Sequence, residues 1–150
     1  MSKYIFTLFI VLGITSLPVQ AGIDGAKQFA DQYIAHVKRI APSYQLTADA
    51  GRDFYVKKYT RKGKEESCAS CHMDSPASDG KHSETGKPIR PLSPVVNPKR
   101  FSNLQHVEEN FTKHCHDIIG RDCTPAEKGD YITYLLTVKN SEAPKAEAKK

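Results

Sequence analysis

Two thiols and an imidazole lie within five consecutive residues, Cys68-Ala69-Ser70-Cys71-His72. The C-x-x-C-H spacing is the attachment signature of c-type haem. The two thiols add to the vinyl groups of the porphyrin, and the adjacent histidine becomes the proximal ligand of the iron. We therefore predict one covalently bound haem c held by Cys68 and Cys71, with His72 as an iron ligand. A structural zinc site built from the same cysteines and a histidine is the weaker alternative.

The second axial position of the iron cannot be filled by methionine. Apart from Met1, the chain has only Met73, which directly follows the proximal histidine and cannot reach the opposite haem face. This excludes the His/Met pair of ordinary soluble cytochromes c. His36 and His106 are expected on helix surfaces. The position is either open or filled by one of three other histidines: His82, His114 or His116.

Two further cysteines, Cys115 and Cys123, are separated by seven residues. Neither belongs to a second C-x-x-C-H motif, so a second haem is not predicted. In an oxidising compartment two such thiols are expected to form a disulfide. Because the bridge would constrain the segment around it, His114 and His116 are favoured over His82 as the distal ligand.

Residues 1–21 have the composition of a secretory signal. Lys3 precedes an apolar run over 4–17, and Val19-Gln20-Ala21 supplies a small-residue cleavage site. The run is shorter than the about 20 apolar residues needed to cross a bilayer, so an uncleaved anchor is the weaker alternative. Since haem c is attached outside the cytoplasm in bacteria, signal and motif together predict a periplasmic protein.

The remaining chain is long enough for one domain preceded by an extension. Residues 22–46 are predicted to form an N-terminal helical extension, and residues 47–138 the monohaem domain. Residues 139–150 are rich in Lys, Glu and Ala and are expected to be a disordered tail. Loss of the signal segment with Lys3 lowers the formal net charge from +5 to +4, a moderate basic excess that favours an acidic partner. No interleaving of aromatic and basic residues suggests a nucleic-acid surface.

Apolar periodicity predicts an all-α protein, and no strand signal competes with it. The predicted helices cover residues 24–40, 47–58, 103–113 and the segment that begins at Thr124. Gly51 inside the second helix suggests a close helix contact, with a merely tolerated glycine as the equal alternative. Residues 73–98 contain five prolines and two glycines, which exclude a regular helix or a central strand. A loop of that length is expected to wrap the haem edge.

The start of the last helix has strong local signals. Thr124 is the predicted N-cap, Pro125 suits the first helical position, and Glu127 completes a capping box. An apolar stripe at helical spacing follows: Tyr131, Tyr134, Leu135 and Val138. We expect this stripe to face the core.

Two segments resemble those of the sphaeroides haem protein (SHP-type) family of oxygen-binding class I cytochromes c. One is Cys115-x-x-Ile118-Ile119-Gly120-Arg121-Asp122-Cys123-Thr124-Pro125, and the other is Gly86-Lys87-x-Ile89-x-Pro91-Leu92-x-Pro94 followed by Pro98-x-Arg100-Phe101. The resemblance covers roughly residues 49–138. It implies a class I cytochrome c fold, here with an extra N-terminal helix and a long Pro/Gly-rich haem-wrapping loop.

The family implies a disulfide close to the distal ligand, which is an asparagine that leaves on reduction and opens a site for oxygen or nitric oxide. In this chain the corresponding residue, just before the first disulfide cysteine, is His114. The resemblance therefore selects His114 over His116 and implies His/His ligation. It also implies that a loop carbonyl near Pro91 accepts the Nδ1–H of His72, and that the helix around Gly51 contacts the last helix.

Two functions follow from these predictions. The first is a carrier of single electrons, because a fixed His/His pair minimises ligand rearrangement and histidine in place of methionine lowers the reduction potential. The alternative is haem-based binding, or turnover, of oxygen or nitric oxide after reductive displacement of His114. An electron-transfer protein is favoured over an enzyme. By resemblance, the redox partners are a dihaem cytochrome and a membrane b-type cytochrome, with carbon monoxide as a further possible ligand; a monomer is expected.

Overall fold

The computed structural model describes residues 18–139. In this range the α-helices are α1 (Pro18–Val37), α2 (Ala48–Val56), α3 (Cys68–His72), α4 (Leu104–His114) and α5 (Pro125–Thr137). One π-helical turn, Cys115–Ile119, directly follows α4. No helix in the described range is long and apolar enough to cross a membrane.

The predicted signal peptide falls largely, and the predicted tail almost entirely, outside the described residues. Residues 1–17 and 140–150 are not described. Helix α1 begins at Pro18 and so includes the last residues of the predicted signal segment. It ends at Val37, where the prediction extended to residue 40.

Three helices begin at side chains that satisfy otherwise free backbone N–H groups. Thr47 accepts a hydrogen bond from the N–H of Ala50, and Asn103 accepts one from His106. At α5 the predicted capping box is confirmed: Thr124 Oγ1 accepts from Glu127 N at 3.2 Å. In return, the Glu127 carboxylate accepts from Thr124 N at 2.8 Å.

Helix α5 lies at the centre of the helical packing, with α1 and α2 against it. A Cβ atom added at Gly51 would lie 2.0 Å from the carbonyl oxygen of Asp130 and 2.8 Å from Tyr134 Cβ. The predicted close contact of α2 with α5 is therefore confirmed, and only glycine fits this position of α2. Tyr55, one turn later, packs its ring 5.7 Å from that of Tyr134.

The predicted core face of α5 is confirmed, because all four residues of its stripe are buried. Side chains of α1, α2 and α4 complete the core around it. The main members are Phe29, Tyr33, Tyr55, Leu92, Phe101, Val107, Tyr131, Ile132, Tyr134, Leu135 and Val138.

Two short antiparallel hairpins add strand structure that periodicity did not predict. Strands β1 (Tyr59–Arg61) and β2 (Lys64–Glu66) pair next to the C-x-x-C-H segment. Their connection, Lys62-Gly63, has positive φ at both residues, as a tight two-residue hairpin turn requires. Strands β3 (Gly80–Lys81) and β4 (Pro88–Ile89) pair within the Pro-rich loop.

The Pro-rich loop is closed by its own backbone and tied to the core. The Pro76 carbonyl accepts hydrogen bonds from the N–H groups of Leu92 and Ser93, at 2.8 and 2.9 Å. The Ser93 hydroxyl donates to the Val138 carbonyl, just after α5, at 2.5 Å. Together with the short β3–β4 pairing, these bonds give the loop a defined shape.

Candidate haem site

A cavity of about 470 Å³ lies between α3 and the end of α4. Cys68, Cys71 and His72 line it on one side. His114 and Phe111 line it on the other, and Arg100 lies on its wall. Its size is within the range of pockets that hold small organic cofactors.

One helical turn brings the predicted haem-binding residues together. Cys68, Cys71 and His72 stand at positions i, i+3 and i+4 of α3, so their side chains share a face. A capping box begins the helix, since Ser67 N donates to Ser70 Oγ at 3.0 Å. The two cysteines are not bonded to each other or to another residue, so their thiols are available for covalent attachment.

Tyr55 of α2 closes the other end of α3, and sequence reasoning missed this role. Its hydroxyl lies 2.9 Å from the carbonyl oxygen of His72 and 2.5 Å from that of Met73. Met73 has a φ of 63°, which turns the chain out of the helix at this point. The Tyr55 hydroxyl thus satisfies carbonyls that α3 leaves free.

The imidazoles of His72 and His114 face each other across the cavity. Their ring centroids are 6.4 Å apart and their planes are inclined by 82°. Imidazole nitrogens bind first-row metal ions at about 2 Å, so two histidines on opposite sides of one ion have centroids about 6 Å apart. The spacing therefore fits a single iron between them.

Both imidazoles have a pKa below the ordinary histidine value. Burial, with the nearby charge of Arg100, lowers the pKa of His72 to about 4. Desolvation by the surrounding chain, followed by the charges of Lys113 and Arg100, also lowers the pKa of His114. A neutral imidazole has the lone pair that a metal ion needs. Burial raises the pKa of the Cys68 thiol to about 12, so it too is uncharged.

Cys115 and Cys123 are bonded to each other, with their Cα atoms 5.7 Å apart, and both are buried. Cys115 is the first residue of the π-helical turn and directly follows His114. The turn ends at Gly120, where φ is 88°. The Arg61 side chain of the β1–β2 hairpin lies against Gly120, since a Cβ there would be 2.2 Å from Arg61 Nη1.

The other histidines have different partners. His116 Nε2 lies 2.9 Å from Asp122 Oδ1. His82 lines the cavity, but its Nδ1 accepts hydrogen bonds from the N–H groups of Glu84 and Thr85. His36 and His106 are exposed, as expected. The structure thus brings His114, rather than these residues, opposite His72.

The Pro91 carbonyl has a partner that the sequence analysis did not anticipate. It accepts a hydrogen bond from Asn97 Nδ2 at 2.9 Å. Within the described residues no hydrogen bond joins it to His72. Since a carbonyl oxygen has two lone pairs, the bond from His72 stays a prediction.

The described residues do not support the zinc alternative. No group of three or more His, Cys, Asp or Glu side chains between residues 18 and 139 is arranged to hold a metal ion. Two imidazoles that face each other, beside two free thiols, instead fit the iron of a haem that the thiols attach covalently. Arg100 makes no ion pair with a described residue and would match the carboxylates that haem carries.

A protein-family model described as a domain of unknown function, DUF1924, matches residues 41–135. The chain is 43% identical over 134 residues to cytochrome c'' of Methylophilus methylotrophus, a match that covers 87% of this chain and 93% of that protein. It is 34% identical over 131 residues to the cytochrome c-type protein SHP of Cereibacter sphaeroides, covering 86% and 97%.

Solved structures of both relatives have the same fold. A solution structure of cytochrome c'', which addresses haem-ligand detachment in that protein, matches with a TM-score of 0.72 and covers 79% of this chain and 97% of its own. Oxidised SHP, described as an oxygen-binding cytochrome c, matches with a TM-score of 0.64 and covers 73% and 94%.

Proposed function

This chain belongs to the SHP-type family of haem c proteins, and on that premise we propose that it is a periplasmic carrier of single electrons with His72 and His114 as iron ligands. It has the helical class I cytochrome c fold and a covalently attached haem c. The observation that carries the proposal is the 6.4 Å separation of the two imidazoles. Bound haem supplies an iron that alternates between its ferric and ferrous states.

The residues of α3 would hold the cofactor. Cys68 and Cys71 would form the two thioether bonds, and His72, on the same helical face, would bind the iron. Tyr55 holds the carboxyl end of α3, because its one hydroxyl hydrogen is shared between the carbonyls of His72 and Met73. The Arg100 guanidinium would pair with a haem carboxylate.

Electron transfer is fast when little has to move. His114 is held at a helix end, and the residue after it is buried in a disulfide. Two neutral imidazoles can bind both oxidation states, and a His/His pair gives a lower reduction potential than His/Met. The distal side therefore suits a carrier with a low potential.

A second candidate function is the binding of oxygen or nitric oxide after His114 leaves the iron. Two observations favour it: the π-helical turn that begins at Cys115, and the ligand detachment and oxygen binding described for the relatives. π-Helical turns occur frequently at functional sites, because they can shift between alternative registers. An imidazole that swings out of the cavity would leave an axial position for a diatomic molecule.

The test is an optical and EPR spectrum of the oxidised and the dithionite-reduced protein, with and without carbon monoxide. Low-spin spectra in both states with no shift on adding carbon monoxide would support the electron carrier. A high-spin ferrous form that binds carbon monoxide would support the second candidate. We expect His114→Ala to make the oxidised protein high-spin, whereas the control His116→Ala keeps the wild-type spectrum. An unchanged spectrum in His114→Ala would refute the proposed ligand pair.

Partners and location follow from the same premise. The relatives and the apolar N-terminal run support a periplasmic location, which cell fractionation with a cytoplasmic marker tests directly. A dihaem cytochrome and a membrane b-type cytochrome are the proposed redox partners. Removal of the signal segment with its Lys3 lowers the formal net charge from +5 to +4, and this positive charge would favour acidic docking surfaces on them. Association should then weaken as ionic strength rises.

A further inference from the structure

We propose that Tyr33, Glu108 and Lys128, called here the Tyr33 network, hold the distal helix α4 and thereby set how readily His114 leaves the iron. The proposal rests on the assignment of His114 as a ligand. It gives the N-terminal helix α1 a role in positioning the site, although the described part of α1 lines none of the cavity.

The two oxygens of the Glu108 carboxylate are bound from two different helices. Tyr33 of α1 donates its hydroxyl hydrogen to Glu108 Oε1. Lys128 of α5 lies 2.7 Å from Glu108 Oε2, and only 15% of its side chain is exposed. Glu108 thus joins α4 to both helices against which it packs.

Aromatic contacts extend the network toward the cavity. The ring of Phe111 packs edge-on against Tyr33, with centroids 6.2 Å apart, and against Tyr131, 5.7 Å apart. The Lys128 ammonium lies 5.5 Å from the centroid of the Tyr33 ring and 5.4 Å from that of Phe111. Cation–π contacts of this kind stabilise most where the ammonium is shielded from water.

Phe111 links Glu108 to the distal histidine along α4. It is three residues from Glu108 and three from His114, so its side chain neighbours both, while Glu108 and His114 themselves lie about 120° apart around the helix axis. Glu108 and Phe111 are held by their contacts with α1 and α5. Any rotation of α4 about its axis that moved His114 out of the cavity would have to break the contacts of the other two.

The Glu108 carboxylate is ionised at neutral pH. Partial burial raises the pKa of Glu108, but the hydrogen bonds from Lys128 and Tyr33 outweigh it and hold the pKa below its ordinary value. Burial, followed by the hydrogen bond to Glu108, raises the pKa of Tyr33, so this hydroxyl keeps its proton.

His114 therefore lies between two constraints along the chain. The Tyr33 network holds α4 before it, and the Cys115–Cys123 disulfide holds the π-helical turn after it. Loosening the network should let α4 move and raise the rate at which His114 dissociates. The disulfide alone would then no longer keep the imidazole in place.

The structure offers a matched pair of variants for the test. Tyr33→Phe removes the hydroxyl that binds Glu108 but keeps the packed ring. Tyr44→Phe removes a hydroxyl that donates to Asp130 Oδ2 at 2.5 Å. This bond joins the loop after α1 to α5 and does not involve α4. Both variants delete one tyrosine–carboxylate bond between distant segments, so both should lower the melting temperature.

The experiment measures the rate at which cyanide binds the oxidised holoprotein at saturating concentration, where dissociation of His114 limits the rate. We expect Tyr33→Phe to raise this rate about fivefold, the factor for loss of one hydrogen bond. Tyr44→Phe should leave it unchanged. Lys128→Met should also raise this rate. Glu108→Gln keeps an acceptor for the Tyr33 hydroxyl, so its rate should lie between those of Tyr33→Phe and the wild type. Equal rates in Tyr33→Phe and Tyr44→Phe would overturn the proposal.

His114→Ala separates this proposal from the ligand assignment. If His114 is the distal ligand, His114→Ala binds cyanide at a rate that no longer saturates. If the saturation limit survives in that variant, the ligand assignment fails. If the saturation limit disappears in His114→Ala, but Tyr33→Phe and Tyr44→Phe bind cyanide at equal rates, only the role of the Tyr33 network fails.

Discussion

The two sides of the haem cavity hold their histidines in different ways. On the proximal side, His72 is the last residue of α3. Ser67 and Ser70 cap the start of this helix, and the Tyr55 hydroxyl donates to the His72 carbonyl at its end. The distal histidine, His114, lies at the junction of an α-helix and a π-helical turn. It is kept there by the nearby Cys115–Cys123 disulfide and by Glu108, whose partners Tyr33 and Lys128 come from α1 and α5. The two histidines are thus held by different helices, so the hold on one can be adjusted independently of the other.

The largest effect should come from breaking the proximal side. We expect the double variant Cys68→Ala/Cys71→Ala to lose all covalently bound haem, because no other described cysteine is free. Mass spectrometry of the denatured protein measures this. His114→Ala serves as the distal control and should retain the full haem mass. Covalent haem in the double variant would contradict the assignment of the attachment site.

Removing the disulfide should be the next largest change, and it acts on the distal side. Cys115→Ser/Cys123→Ser removes a constraint on a short loop, so its free energy of unfolding should be lower than that of the wild type by about 2–3 kcal/mol. Urea denaturation of the holoprotein measures the loss. Cyanide binding should also become faster, since the π-helical turn is freed. A destabilised variant with wild-type ligand kinetics would show that the bridge does not hold His114.

A smaller effect is expected from Tyr55→Phe, which deletes the bonds to the His72 and Met73 carbonyls. Loss of this hydroxyl should cost about 1–2 kcal/mol of unfolding free energy, again measured in urea. Tyr59→Phe is the control, because the Tyr59 hydroxyl makes no hydrogen bond within the described range. Because Tyr55 holds the proximal side and not His114, the rate of cyanide binding should be unchanged in Tyr55→Phe. Faster kinetics would mean that proximal and distal ligands are coupled.

The smallest effect concerns the pH dependence of stability. The folded pKa of Glu108 is lowered, so its stabilising contribution is present above the ordinary glutamate pKa of the unfolded chain. It is lost as the pH falls through the lower, folded value. Urea denaturation between about pH 3 and 6 should therefore show a shallower pH dependence in Glu108→Gln than in the wild type. Parallel curves would indicate that the charge of Glu108 does not contribute.

Local signals account for what the sequence could predict. The helix starts near residues 47 and 103, the capping box at Thr124 and the stripe on α5 depend on neighbours within one or two helical turns, and the structure confirms them. The C-x-x-C-H motif is an equally local signal. The expected disulfide favoured His114 and His116 together, and only the family resemblance selected His114, because nothing local links two residues as far apart as His72 and His114.

The remaining features depend on contacts between distant segments. Tyr33 and Glu108 are separated by 75 residues, and neither has a neighbour that marks it as a partner. The hydrogen bond from Asn97 to the Pro91 carbonyl and the β3–β4 pairing likewise depend on how the Pro-rich loop closes. The π-helical turn requires one extra residue in a helix, which apolar periodicity over so few positions cannot reveal.

The position of His114 between two constraints has an evolutionary consequence. Neither the Tyr33 network nor the disulfide uses the imidazole itself, so the residue at 114 can change while the backbone around it stays the same. Histidine and asparagine codons differ by a single base. One point mutation could therefore exchange an imidazole for the amide that the SHP-type resemblance places here without rebuilding the fold.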